Sequence, residues 1–366
     1  MKQNILKKLS YYAKKNYRSV RSNVFLSIYG KISVSKNPPN CKINKIKKKN
    51  ELKIANYNYN IFKIKNGRIF TDNIENVSIL SSNKLLDKFS YQQVNGNLVN
   101  SRHNQVIKSG TPKFLKKFRG SIAVLAQGAS GYNNYSHFLF DIIPKIKLLS
   151  EGINIEKINY FYFSELNKYQ KEIIKMIGLE KKKIINSNKF RYVQCDQLIG
   201  VTHPNYFKGT ISDAHSKMPR WIIYYLKKKF TSNIKTKVFY NRIFIDRSDS
   251  KLPHCKLVNN AEIKKFLISK GFKVLKLSRY SFKKQINYFK NAKVIIGPHG
   301  AGFANLAFCK KNTKVIEIKP LDHPNKVYEK ICKINKLKYK LIKLKKIRNK
   351  KTGDMYLNKK ILNKYI

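Results

Sequence analysis

Two stretches of this sequence bring together residue types that can do chemistry. The first is Val294-Ile295-Ile296-Gly297-Pro298-His299-Gly300-Ala301-Gly302-Phe303-Ala304-Asn305-Leu306. An apolar run that reads as a buried strand empties into a glycine-rich turn, and a helix is expected to start at once. Glycines let the backbone approach a ligand closely, and the N–H groups that open a helix are available to an anion. The spacing is G-x-x-G-x-G instead of the dinucleotide G-x-G-x-x-G, and it follows a late strand of its unit. A nicotinamide-dependent oxidoreductase is therefore disfavoured. Upstream, Arg242 and Arg247 bracket the run Ile243–Asp246, with Arg247 just past its end. In open α/β sheets ligands lie outside the carboxyl ends of strands, which would set Arg247 and Gly297–Gly302 on one crevice. A guanidinium fork there suits a diphosphate. For Arg242 a plain surface charge is the competing reading.

The second stretch is Asn134-Tyr135-Ser136-His137-Phe138-Leu139-Phe140-Asp141. On a helix His137 and Asp141 are i and i+4 and share a face. A carboxylate beside an imidazole fixes its tautomer and raises its basicity, as a general base requires. Spacing alone equally allows a helix-start carboxylate and a structural histidine.

The elements that must position these residues follow from periodicity. Short apolar runs between Ile61 and Asn100 alternate with polar turns and predict a small antiparallel sheet. Ser121–Leu125 is an uninterrupted apolar run, expected to be a strand buried on both faces. It leads into Gln127-Gly128-Ala129-Ser130-Gly131 and then a helix from about Ser136 to Leu149. Strands at Tyr160–Phe163, Lys183–Asn186 and Gln197–Thr202, with a helix at Lys168–Ile177 closed by Gly178, indicate a parallel sheet. A helix at Pro219–Phe230 ends in Thr231–Lys237, the candidate linker. Beyond it, strands at Val238–Ile245, Phe272–Leu277, Lys293–Ile296 and Lys314–Ile318 alternate with helices at Asn260–Lys270, Phe282–Lys290 and Ala301–Phe308. Asn260 and Ser281 are expected to cap the first two of these, and Gly271 to close the first. This is a doubly wound order, with one more helix and strand expected in residues 321–345. The domain reading is a basic N-terminal segment (1–60), an α/β domain (61–236), a Rossmann-like nucleotide-binding domain (237–345) and a basic tail (346–366).

Asn134–Asp141 with Ile142-Ile143-Pro144-Lys145, then Arg242–Arg247, then Ser281 through Gln285 to Ile318, together resemble glycosyltransferase family 61 over roughly residues 65–320. The likeness is strongest at Gly297–Asn305 and at Lys314-Val315-Ile316-Glu317-Ile318. It implies an α/β, GT-B-like fold of two Rossmann-like domains facing across a cleft, inverting sugar transfer and no obligatory metal or other cofactor. No Asp-x-Asp occurs in the chain. The resemblance assigns Arg247, His299, Gly300 and Gly302 to the diphosphate of a nucleotide-sugar donor, and Glu317 to the ribose, with a structural role for Glu317 left open. Arg242, Gly297, Ala301 and Asn305 are candidates for the same donor site. His137 and Asp141 fall on the acceptor side, and either can be the base. Phe138 departs from the family, where Trp or another aromatic is frequent, and the basic N-terminus has no counterpart in it.

Composition sets the remaining limits. The chain has 366 residues, 42% of them hydrophobic, enough for two ordinary cores. Lys+Arg 78 against Asp+Glu 19 gives +59, and Lys, Asn, Ile and Tyr are all plentiful. That pattern fits codon drift in an AT-rich genome. Base-edge recognition favours Arg, here the minority cation, so specific nucleic-acid binding is not expected. The rival to an enzyme is a polyanion binder, which needs cations grouped on one surface, and here lysines are spread throughout. Five scattered cysteines form neither a disulfide framework nor a zinc motif, which fits a reducing cytoplasm. No run approaches about 18 apolar residues. Residues 2–21 can form a basic helix with Ile5, Leu6, Leu9 and Tyr12 on one side, either lying on an anionic membrane or solvated. The expected partners are a nucleotide-sugar donor and a glycan or glycolipid acceptor. Capsule or lipopolysaccharide biosynthesis at the inner face of the membrane is the expected setting.

Overall fold

The apolar runs become the strands of two sheets in the computed structural model. It describes residues 2–46, 58–71, 76–94, 97–99, 101–126, 134–205, 217–232, 234, 239–250, 254–347 and 353–366. The turn expected at Gln127–Gly131 and most of the candidate linker lie outside the described residues.

The first sheet is mixed. Its N-terminal strands are β1 (Ser33–Ser35), β2 (Cys41–Lys45), β3 (Asn60–Lys65), β4 (Arg68–Phe70), β5 (Asn76–Ser81), β6 (Lys84–Leu86), β7 (Tyr91–Val94) and β8 (Asn97–Val99). All their mutual pairings are antiparallel except β1 with β6. They join a parallel centre of β9 (Lys116–Val124), β10 (Tyr160–Phe163), β11 (Lys183–Asn186) and β12 (Tyr192–Val201). The antiparallel sheet expected over 61–100 is therefore the flank of a larger one, attached through β12 to β3 and β4.

The second sheet is wholly parallel. It comprises β13 (Arg242–Ile245), β14 (Lys273–Leu275), β15 (Val294–Pro298), β16 (Lys314–Pro320) and β17 (Lys338–Leu344), in the order β14-β13-β15-β16-β17. This is the 2-1-3-4-5 order of flavodoxin-like sheets, and its switch point lies between β13 and β15. The protein is thus a mixed α/β molecule. Ile243, Ile295 and Val315 have no exposure, as expected for strands covered on both faces. The helix Val327–Asn335 and strand β17 supply the expected last pair.

One continuous apolar cluster runs from Leu125, Phe138 and Ile142 through Trp221 and Phe230 to Phe282, Ile295 and Phe308. The helix Arg220–Thr231 is the shared wall. Its Phe230 ring centroid lies 5.1 Å from that of Phe282 and 6.2 Å from that of Phe308. A buried Phe is worth about 2–3 kcal/mol, against about 1 kcal/mol for a typical hydrogen bond, so this apolar contact dominates the joint. Polar links also cross it. Glu172, on the helix Lys168–Met176, accepts the N–H groups of Phe282 (2.7 Å) and Lys283 (3.0 Å) at the start of the helix Phe282–Asn291. A carboxylate there answers the open amides and the positive end of the helix dipole. Ser281 is the N-cap, as expected, accepting from Lys284 N–H.

Two expectations change. Asn260 does not cap the helix Asn260–Ser269 but stands inside it, and its amide donates to Asp246 Oδ1 instead. The basic tail is partly docked: Met355, Leu357 and Leu362 are fully buried against Phe244, Leu257 and Ile263. Isolated apolar residues among lysines gave no periodic signal.

Candidate active site

At the carboxyl end of β13, Asp246 accepts the N–H of Ser248 (3.0 Å) and the amide of Asn260 (3.0 Å), with Lys264 at 3.4 Å. Burial opposes ionisation here, but these donors hold its carboxyl below the ordinary value. The turn that carries Arg247 is fixed by them. Across the switch point, Gly300 follows β15, and the Arg247 guanidinium packs closely against it. A Cβ built on Gly300 would fall 2.2 Å from Arg247 Cζ. Arg247 Nη2 contacts Ser250 Oγ (3.2 Å) and His254 Nδ1 (3.3 Å), while its Nη1 is buried with no hydrogen-bond partner among the described residues. Burial pulls the guanidinium below its ordinary value, yet it remains charged at neutral pH. An unsatisfied, buried, permanently charged N–H is costly, and an oxyanion at this place would answer it.

The segment after Gly300 is a 3₁₀ helix, Ala301–Phe308, in place of the expected α-helix. Every residue from Phe303 to Phe308 is buried, so no two-faced 3.6 period is imposed. In a 3₁₀ helix the first ladder bond is Phe303 N–H to Gly300 C=O, seen at 2.9 Å. The amides of residues 300–302 precede that ladder and open the turn.

The expected donor residues divide. His299 and Glu317 are buried and bonded to each other, and the other Glu317 oxygen accepts the Tyr339 hydroxyl. Burial would raise the Glu317 carboxyl, but the His299 contact and the Tyr339 bond hold it low. With each oxygen bonded, Glu317 orients His299. The His299 ring packs at a tilt against His323 (ring centroids 4.1 Å apart) and Tyr328 (5.0 Å). Burial, with His299 beside it, pulls His323 down to about 4, so it is neutral at pH 7. Asn305 is also fully engaged. It donates to Gln285 Oε1 (3.0 Å) and Gly302 C=O (3.1 Å) and accepts the Tyr135 hydroxyl (2.5 Å). It clamps the helix from Tyr135 to the turn after Gly300. Arg242 stands at the opposite, N-terminal end of β13, exposed, donating to Lys270 C=O and lying over Phe272. Gly297 and Gly302 are small because Ile245 and Leu277 fill the space a Cβ would take, at 2.9 and 2.7 Å. Gly300 alone of the three faces Arg247. Ala301 is half-buried beside it.

The second group sits on a continuous helical stretch: Tyr135–His137, a π-turn Phe138–Ile142, then Ile143–Gly152. Asn134 caps it through His137 N–H. His137 Nδ1 and Asp141 Oδ2 are 2.6 Å apart. The wider turn interrupts the α-helical ladder. Asn205 accommodates this by donating to Phe140 C=O (3.1 Å) and to Asp141 Oδ1 (2.7 Å). His203 Nε2 stands 3.9 Å from that same oxygen. Asp141 is buried and His137 only partly so, which leaves the imidazole as the reachable member of the pair. One turn on, Lys145 is buried, and burial draws its ammonium down to about 7 against the pull of Asp141. Sequence reading missed Tyr328, His323, Asn205, His203 and Lys145. Only Lys145 lay within a motif already singled out.

The two groups meet. Tyr135 reaches Asn305, and Ser136, next to His137, comes within hydrogen-bonding reach of Tyr328, which packs on His299. The Gly300 contact gives a direct test. Its backbone is extended (φ 160), so Ala costs nothing there by conformation, and all the strain comes from Arg247. Gly300→Ala is expected to lower stability by about 1–3 kcal/mol. Adding Arg247→Ala should recover most of that loss in a double-mutant cycle followed by thermal melting.

Among the described residues no group of three or more His, Cys, Asp or Glu has metal-holding geometry, and no helix is long and apolar enough to cross a membrane. No curated protein matches this chain. Among solved structures, a flavo di-iron protein mutant from Thermotoga maritima aligns at 8% identity over 84% of this chain and 95% of that chain. Its TM-score is 0.23, a likeness from which nothing follows. A family model does match: Glycosyltransferase 61, over residues 135–316, a span that holds the His137–Asp141 pair, Arg247 and Gly300. The chain belongs to glycosyltransferase family 61.

Proposed function

We propose that this glycosyltransferase moves a sugar from a nucleotide-sugar donor to a glycan or glycolipid acceptor, inverting the anomeric centre without a metal. The observation that carries the reading is the Arg247 guanidinium against Gly300 at the switch point, with Nη1 buried and without a partner among the described residues. The donor diphosphate binds there. Arg247 and the amides of residues 300–302 take up the charge that builds on it as the sugar leaves, so no metal is called for. His137, oriented through Nδ1 by Asp141, takes the acceptor hydroxyl proton on Nε2. The acceptor oxygen then attacks from the face opposite the diphosphate. The arrangement is GT-B-like in this reading, with the helix from Tyr135 on the acceptor side and β13–β17 on the donor side. Cell-surface polysaccharide assembly, of capsule or lipopolysaccharide type, on the cytoplasmic side of the membrane is the proposed setting.

Thermal melting with UDP or GDP in moderate salt tests the reading. A matching nucleotide at a hundredfold excess over its Kd adds about 2.7 kcal/mol of stability. One nucleotide should raise Tm, and Arg247→Ala should abolish the rise. Equal stabilisation by any polyanion, lost in salt, would instead favour a non-enzymatic polyanion binder. A donor screen for released nucleotide then identifies the sugar.

A further inference from the structure

The helix Lys2–Tyr29 is anchored at its C-terminal turn. There Phe25 is buried beside Phe114 (ring centroids 5.1 Å apart), and Tyr29 Oη accepts the N–H of Leu115 (3.1 Å). Leu26 lies over Gly110, where a Cβ would come within 2.8 Å of Leu26 Cδ2. Residues 9–20, in contrast, are exposed at every position. At about 1.5 Å per residue, they form an arm about 18 Å long.

Side chains on the arm are ordered by face. Leu9, Ala13, Tyr17, Val20, Val24 and Ile28 recur at steps of three and four and fall in one stripe. Leu9 is 60% exposed, Tyr17 66% and Val20 64%. Arg21 and Lys14 border the stripe on one side, Arg18 lies beyond them and Lys15 is on the opposite face, and residues 2–29 contain seven Lys or Arg and no acid. A solvated tail has no use for the stripe, and a polyanion in water has no use for its aliphatic part. An anionic bilayer uses both. The stripe enters the acyl boundary by about 5–10 Å while the cations meet headgroup phosphates. Tyr17, within the stripe, is suited to the headgroup level.

We propose that this helix is a membrane-interface anchor that lays the protein on an anionic lipid surface. The inference is independent of the sugar-transfer reading, because its test measures binding and not turnover. The full-length protein is mixed with vesicles of phosphatidylcholine and phosphatidylglycerol, or of phosphatidylcholine alone, and floated on a density gradient. It should float with the anionic vesicles and not with the neutral ones. The variant Leu9→Gln/Val20→Gln/Val24→Gln keeps every cation and replaces residues outside the core, so its Tm should be unchanged. Its vesicle partitioning should fall by roughly tenfold or more. Undiminished binding of that variant would mean charge alone is read, as by nucleic acid or heparin, and the proposal fails. It fails too if the substitutions convert a dimer to a monomer in light scattering, since the stripe would then be a self-contact.

Discussion

Arg247→Ala should lower turnover by on the order of a hundredfold or more, the usual loss when one preorganised donor to a developing oxyanion is removed. The size follows from where the charge sits. The guanidinium is held by Ser250 and His254 and packed on the Gly300 backbone, with Nη1 withdrawn from water. Its cost is already met by the fold, so the whole interaction is available when charge builds on the diphosphate. Loss should appear in kcat and in kcat/KM together if the contact strengthens in the transition state, and in KM alone if it serves ground-state binding. Lys345→Ala, at an exposed position, controls for net charge and should change little. Arg247→Lys should recover only a fraction, because an ammonium lacks the planar fork that lies over Gly300. Full activity in Arg247→Ala would remove the diphosphate from this crevice and the site assignment with it.

The convergence of Arg247 and Gly300 was legible because it rests on two robust signals. Continuous apolar runs mark parallel strands, and their carboxyl ends share one edge of the sheet. The i, i+4 pairing of His137 with Asp141 was legible from local spacing, and it survives the π-turn that spacing could not show. What local spacing could not show depends on partners further along the chain. Gly297 and Gly302 read as ligand glycines, and spacing could not show that Ile245 and Leu277 also require them to be small. Glu317 read as a ribose contact or a structural group, and spacing could not show that His299 and Tyr339 bond its two oxygens. Asn305 accepts from Tyr135, 170 residues away. Nor does the shared core around Phe230 follow from element order, since two sheets joined by a linker can equally have separate cores.

Asp141→Asn should reduce turnover by about a thousandfold or more while leaving the fold intact, because it changes which imidazole nitrogen carries the proton. Asn205 donates to Asp141 Oδ1 at 2.7 Å, so an asparagine in that place will turn its carbonyl oxygen toward Asn205. Its NH2 then faces His137 Nδ1, which must accept instead of donate. The proton moves to Nε2, the nitrogen needed to take the acceptor proton. His137→Ala, which removes the base outright, should lose a comparable amount, about 10²–10⁴-fold. The pair of variants also separates the two candidates for the base. If the imidazole does the work, the double variant should be no worse than either single one, since residues acting as a unit are strongly non-additive. If Asp141 itself takes the proton, His137→Ala should lose less than tenfold while Asp141→Asn stays at a thousandfold. Tm measured alongside guards against unfolding as the cause: the buried carboxylate is replaced by an isosteric amide that keeps the Asn205 bond, so melting should shift by only a few degrees.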